Sequence, residues 1–227
     1  MTMTMTIGAD PEVFILDKTT GNYIDPMWVT FGTKQDPEPL GVGHIQADGC
    51  AIEFNIPPSN SEDEFVNNIK SMMQALNERV KEVNSDWDIV VTPIINWRGD
   101  IPFHALETGC DVDYNLNGKV NPKPTLVDKV RTGGGHIHIG YDTPKTRKEA
   151  FTKALEVAKV VNPHILKLQS SEASMERRKY YGNGAFRPKP YGVELRDLDN
   201  TWLLSEESIR QVYQTITGVL TNEAQVS

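Results

Sequence analysis

Gly133-Gly134-Gly135-His136-Ile137-His138-Ile139-Gly140 is the stretch on which the reading of this chain turns. On a strand, side chains alternate between faces with period two. His136 and His138 therefore project together from one face, and Ile137 and Ile139 pack on the other. The glycines ahead of them let the backbone turn sharply or approach a ligand closely. Two imidazoles on one face can serve a metal, a phosphate or a developing charge.

Three further segments repeat the alternation with acids. Gly8-Ala9-Asp10-Pro11-Glu12-Val13-Phe14 puts Asp10 and Glu12 on one face of a strand. Asp48-Gly49-Cys50-Ala51-Ile52-Glu53-Phe54-Asn55 does the same for Glu53 and Asn55, against Ile52 and Phe54. Tyr191-Gly192-Val193-Glu194-Leu195-Arg196 pairs Glu194 with Arg196, opposite Val193 and Leu195. Any one of these is also what a half-buried strand with a solvated polar face looks like. If all four lie on one side of one sheet, acids, imidazoles and an arginine converge.

The chain has 227 residues, enough for one sizeable domain with a full hydrophobic core. Its 31 acids outnumber 23 Lys and Arg, for a formal charge of -8, which argues against broad nucleic-acid binding. No run approaches the ~20 apolar residues that span a bilayer. The opening Met-Thr repeat lacks a basic segment and an apolar core, so no secretory signal is expected. The expected location is the cytosol. Cys50 and Cys110 each follow a glycine and are expected as small buried residues rather than a disulfide.

Strands are predicted over 5–16, 22–31 and 44–56, with a loop from Phe31 to Val42. Ser61-Glu62-Asp63-Glu64 is a capping-box start, and Phe65, Ile69, Met72, Leu76, Val80 and Val83 follow at helical spacing. Ile89–Asn96 is strand-like. A long irregular tract, Gly99–Thr125, precedes the histidine strand, placed within Val130–Tyr141. Thr143-Pro144 is predicted to open a second helix that Pro163 kinks or splits. Glu172–Tyr181 reads as a charged helix, with Arg177-Arg178-Lys179 on a solvated face. Residues 182–192 are rich in Gly and Pro and read as a loop. Ser205 caps a last amphipathic helix over 205–222. No glycine-rich turn leads from a strand into a helix, so neither a P-loop nor a dinucleotide fold is indicated. An α+β architecture follows: an antiparallel sheet with helices on one face.

The donor set decides between metals. Three carboxylates, Glu12, Glu53 and Glu194, with one imidazole, His136, suit magnesium or manganese; zinc would ask for more His or Cys. Arg187 and Arg196 lie close by in sequence and could neutralise a transferring phosphoryl group. His44, His104 and His164 are expected to be surface or packing residues. Trp97 and Trp202 are expected in the core.

In their order along the chain, these motifs resemble the phage-type carboxylate–amine ligases, or amidoligases, of the glutamine synthetase-like and glutamate–cysteine ligase-like superfamily. The resemblance runs from Gly8-Ala9-Asp10-Pro11-Glu12 to Asp199-Asn200-Thr201-Trp202-Leu203. It implies one domain over residues 1–227, built on a curved, mainly antiparallel sheet of about six strands. It also implies ATP with Mg2+ or Mn2+, an acyl-phosphate intermediate, and a small-molecule or peptide carboxylate joined to an amine. By motif position it implies Glu12, Glu53, His136 and Glu194 as metal ligands, with Asp10 a weaker candidate. Arg187 and Arg196 take the place of transition-state stabilisers. His138, Asn55, Asp113 and Arg131 are candidate substrate or nucleotide contacts. A host-cell cytoplasm is the implied location if the chain is phage-encoded. A metal-dependent hydrolase, or a binding protein that keeps the fold, is the competing expectation.

Overall fold

The computed structural model describes residues 5–105, 112–122, 129–169, 171–181 and 184–226. The elements run β1 (Thr6–Asp17), β2 (Tyr23–Ile24), β3 (Glu38–Leu40), β4 (Gly43–Asp48), β5 (Ala51–Asn55), α1 (Glu62–Val83), β6 (Trp87–Val90) and β7 (Ile94–Asn96). They continue with β8 (Val130–Thr132), β9 (Gly135–Gly140), α2 (Arg147–Ile165), α3 (Glu172–Tyr181), β10 (Phe186–Lys189), β11 (Gly192–Leu195) and α4 (Glu206–Val226). The main sheet has nine strands in the order β10-β11-β9-β1-β5-β4-β3, with β2 and β6 pairing the far end of β1. Strands β7 and β8 form a separate pair. Every pairing among the described strands is antiparallel. The α+β class with an antiparallel sheet is as the patterning dictates, and the sheet is wider than expected.

Period-two alternation divides the sheet into two chemistries. Ile7, Ala9, Val13, Ile52, Phe54, Ile137, Ile139, Val193, Leu195 and Phe186 are buried in one core. That core is closed by α1 (Phe65, Ile69, Met72, Leu76), α2 (Ala154, Ala158, Val161) and α4 (Ile209, Val212, Ile216). Residues of opposite parity on the same strands face away from this layer and carry the charges. Removing this much apolar surface from water, at about 25 cal/mol per Å2, is what fixes the register, because a one-residue slip would invert every strand.

Helix ends follow local chemistry. Ser61 Oγ accepts from Glu64 N (3.3 Å), and Glu64 reaches back to accept from Asn60 N (2.7 Å). Ser205 Oγ accepts from Ser208 N (3.1 Å) ahead of α4. No helix is long and apolar enough to cross a membrane among the described residues.

Several boundaries differ from the sequence expectation. The predicted strand 22–31 stops at Ile24, because Asp25-Pro26 starts a 3-10 turn that Asp25 caps through Met27 N (2.9 Å). The predicted strand 44–56 is a hairpin, β4 and β5, folded at Gly49 with φ 57°. Ile89–Asn96 is divided between two sheets. The second helix begins at Arg147, since Thr146, not Thr143, caps it by accepting from Glu149 N. Pro163 lies in the last turn of α2, and the chain tightens into a 3-10 turn at Leu166–Leu168. Residues 186–189 are strand, not loop. Proline is tolerated there because β10 is an edge of the sheet. Arg177 is buried, not solvated: its Nη1 donates to Asp197 O (3.0 Å), beside a carboxylate that itself is buried. Cys50 is buried as expected; Cys110, with the rest of 106–111 and 123–125 of the tract, lies outside the described residues.

Candidate active site

Cross-strand register places the charged residues side by side. Asp10 on β1 pairs with His136 on β9, and Glu12 pairs with Glu53 on β5. His138 pairs with Glu194 on β11, and Glu194 pairs with Arg187 on β10. On the other flank Glu53 pairs with Gln46 on β4, whose Nε2 donates to Glu53 Oε1 (2.7 Å). Six strands thus supply one continuous polar face, above which lies a cavity of about 440 Å3.

The Gly133-Gly134-Gly135 run holds this face together by close approach. Gly134 N donates to Glu12 Oε2 (2.7 Å), and Glu12 N donates to Gly134 O (2.8 Å). A methyl group at Gly134 would strike the His136 ring. One at Gly135 would strike Asp199 O and the Trp202 indole nitrogen. The Asp199-Asn200-Thr201-Trp202 segment is the clasp. Asn200 Nδ2 donates to Glu12 O (2.8 Å), Trp202 Nε1 donates to Gly135 O (3.1 Å), and Gln169 Nε2 donates to Asp199 Oδ1 (2.8 Å). The tail motif therefore positions Glu12 from behind.

Among the described residues, two sets of donors could hold cations. Glu12, Glu53 and His136 form one; Asp10, His136 and Glu194 form the other, each with its ligand atoms within 4.8 Å of one another. His136 Nδ1 is buried and has no hydrogen-bond partner, standing 3.6 Å from Asp10 Oδ1 and 3.9 Å from Glu194 Oε1. Oxygen donors with one shared nitrogen match magnesium or manganese. Asp10, given lesser weight from its sequence, belongs to the second set.

Electrostatics divide the cavity. Burial, with Asp48 adding to it, raises Glu12 to about 7, against the lowering pull of the Gly134 N–H, Arg177 and Arg196. Burial and the acids Asp10, Asp48, Glu12 and Glu194 push Glu53 well above the carboxylate range. Burial likewise raises Asp48. Acids that repel one another in a buried cluster are poised for a cation. The opposite wall is cationic. Glu194 meets Arg196, Arg187 Nη1 (3.0 Å) and Lys189 Nζ (2.7 Å). Burial opposes its charge, yet Arg196 above all, with His138 and Arg187, holds it well below the usual range. Burial and the Arg196 charge keep His136 well below its ordinary value, hence neutral and able to ligate. His138 lies 2.8 Å from Asp10 Oδ1 through Nε2 and bonds Tyr191 Oη through Nδ1. Burial opposes its protonation, and Asp10 outweighs burial to raise it.

Of the residues picked from sequence, the structure gathers Glu12, Glu53, His136, His138, Asn55, Glu194, Arg187 and Arg196 on this face. Asp113 stands behind Arg196, 3.3 Å from its Nε. Arg131 is not brought to the cavity. It lies on β8, buried beside the Cys50 thiol, whose pKa burial raises to about 11. The cavity also has lining residues that the sequence reading missed: Lys34, Gln46, Asp48, Lys189 and Tyr191. Gln46 and Asp48 share the parity of a strand hidden inside the presumed single strand 44–56. Lys189 has the parity of Arg187, once 186–189 is known to be extended. A scan against protein-family models returns no match to the chain, and a search of curated proteins returns none either.

Proposed function

We propose that this protein is an ATP-dependent carboxylate–amine ligase using Mg2+ or Mn2+, as its resemblance to the amidoligases implies. The observation that carries the reading is one sheet face on which two acid–imidazole donor sets share His136 and adjoin Arg187, Lys189 and Arg196. A metal end and a cationic end in one cavity suit a triphosphate whose terminal phosphoryl group is to be transferred.

In that reaction an oxygen of the acid attacks the γ-phosphorus of ATP, the bond to the ADP oxygen breaks, and an acyl phosphate forms. The amine nitrogen then attacks the acyl carbon, gives up a proton, and inorganic phosphate leaves. Glu12 and Glu53 would hold one metal and Asp10 and Glu194 a second, with the neutral His136, which has a single lone pair to give, completing one set or the other. When bound, these ions supply charge neutralisation and Lewis acidity at the phosphate oxygens. Arg187 and Lys189, at the open side of Glu194, are placed to face negative charge growing on the transferred group. Arg196 is anchored between Glu194 and Asp113, so its guanidinium is preorganised. Asn55, His138 and Tyr191 line the space left for the acid and the nucleotide.

ADP release measured with ATP, Mg2+ and panels of acids and amines tests the reading. Release that requires both an acid and an amine is the expected result. Amide or phosphoester cleavage by metal and water alone, with no nucleotide, would replace it with a metal hydrolase.

A further inference from the structure

Tyr191 lines the cavity from the turn between β10 and β11, and its hydroxyl takes no part in the chemistry above. The residue is 46% exposed, yet the hydroxyl is bonded to Nδ1 of His138. The other ring nitrogen, Nε2, stands 2.8 Å from Asp10 Oδ1. Among the described residues, neither of those two buried atoms has another hydrogen-bond partner. A phenol at the hairpin turn, an imidazole on β9 and a carboxylate on β1 thus stand in one row.

Register makes the row possible. Asp10 faces His136 directly across β1 and β9, and the partner of His138 is Gly8. Gly8 presents no side chain, which leaves the imidazole room to lean along β1 to the acid two residues on. The turn that carries Tyr191 is fixed without help from the hydroxyl. Tyr141 N donates to Tyr191 O (2.9 Å), and Thr143 Oγ1 donates to Pro190 O (2.8 Å). A side chain at Gly192 would strike Ile139 O, so the hairpin end is pressed onto β9. The hydroxyl bond therefore acts on the imidazole and not on the hairpin.

Proton placement gives the row its direction. An ionised carboxylate only accepts, so the proton between Asp10 and His138 is on Nε2. In the neutral ring Nδ1 is then a lone pair, and the Tyr191 hydroxyl donates to it. Burial, with Asp10 and Glu194 adding to it, pushes the phenol above its usual range, so it keeps its proton. When the ring carries a second proton, Nδ1 donates to Tyr191 Oη instead, and the alignment is the same.

We propose that Tyr191 and His138 are positioning residues for the cation at Asp10 and Glu194: the hydroxyl locks the imidazole, and the imidazole holds the Asp10 carboxylate in place for the ion. This rests on the metal assignment within the ligase reading and deepens it. Partners that orient a metal ligand from behind are worth about 10–100-fold in metal affinity.

The test titrates Mn2+ alone into the full chain and follows the free ion by electron paramagnetic resonance. Asp10→Asn, which removes the charged ligand, should weaken one class of site. Tyr191→Phe keeps the ring and the backbone anchors, and should fold as the parent does by circular dichroism. It should bind Mn2+ at that same class of site about tenfold more weakly. His138→Ala should lose at least as much, and adding Tyr191→Phe to it should cost nothing further, because the hydroxyl acts only through the imidazole. Additive losses, or unchanged Mn2+ affinity in folded Tyr191→Phe, would overturn the proposal. So would a Tyr191→Phe chain that does not fold, since the hydroxyl would then serve the hairpin. A parent chain that binds no Mn2+, or Asp10→Asn binding it as the parent does, would overturn the metal assignment itself and the positioning role with it.

Discussion

Asp10 and His136 are register partners on adjacent strands, with imidazole Nδ1 3.6 Å from carboxylate Oδ1 and without a hydrogen-bond partner. An unsatisfied buried nitrogen costs about 1–3 kcal/mol. A divalent ion between them would remove that cost. Manganese at about 100 times its dissociation constant should therefore add about 2.7 kcal/mol to the unfolding free energy. Thermal melts with and without the ion read the shift. His136→Ala should erase it, and an undiminished shift in that variant would remove the residue from the site.

Glu53 is crowded by Asp10, Asp48, Glu12 and Glu194 in a buried setting. Glu53→Gln relieves the repulsion while keeping the shape. The variant should melt higher than the parent in chelator, lose the metal-induced gain, and turn over about 100-fold slower or worse. A lower melting point in chelator would show that the carboxylate stabilises the fold rather than the ion.

In chelator the protein should be more stable at pH 5 than at pH 8. Glu12 sits near 7 in the fold against 4.5 unfolded, so the native state keeps a proton the unfolded chain has lost. Its contribution, on the order of 3 kcal/mol, fades as pH rises through 7. Glu53, Asp48, His138 and Asp197, the last raised by burial to about 6, act in the same direction. His136 opposes them, because the unfolded chain takes up a proton below 6.5 that the buried ring refuses. Glu194, held low, matters only at more acid pH. Urea unfolding across this range checks the slope; saturating Mg2+ should flatten or reverse it.

Arg187→Ala should lower kcat by about 100-fold or more while changing nucleotide affinity far less, if its charge acts on the transferring phosphoryl group. Stability should hardly move, since Arg196 and Lys189 still neutralise Glu194. Equal losses in nucleotide binding and in kcat/KM would make it a binding residue only.

Gly135→Ala drives a methyl into Asp199 O and the Trp202 indole, both parts of the clasp behind Glu12. A loss above about 3 kcal/mol, or no folded protein, is expected from denaturation or circular dichroism. A variant melting like the parent would show that the clasp yields freely.

The site was legible where chemistry coincides with alternation. His136 and His138 between isoleucines, Glu53 before Phe54, and Glu194 between Val193 and Leu195 each declare a face without any knowledge of the neighbouring strand. Legibility failed where a turn interrupts the pattern. Asp48-Gly49 folds one apparent strand into two, which hid Gln46 and Asp48. Pro188 made an edge strand look like loop, which hid Lys189. Arg177 reads as a solvated helix cation, and only the buried Asp197 shows why it is inward.

The chain by itself determined which side of each strand is oily and which is charged, because that follows from bonded geometry at a period of two. Only tertiary structure decided which charged strands lie side by side. Pairing Glu12 with Glu53, or His138 with Glu194, joins residues far apart in sequence. Those choices are set by the loss of apolar surface under α1, α2 and α4 and by the room that glycine leaves for Asp199 and Trp202, neither of which is a property of any one segment.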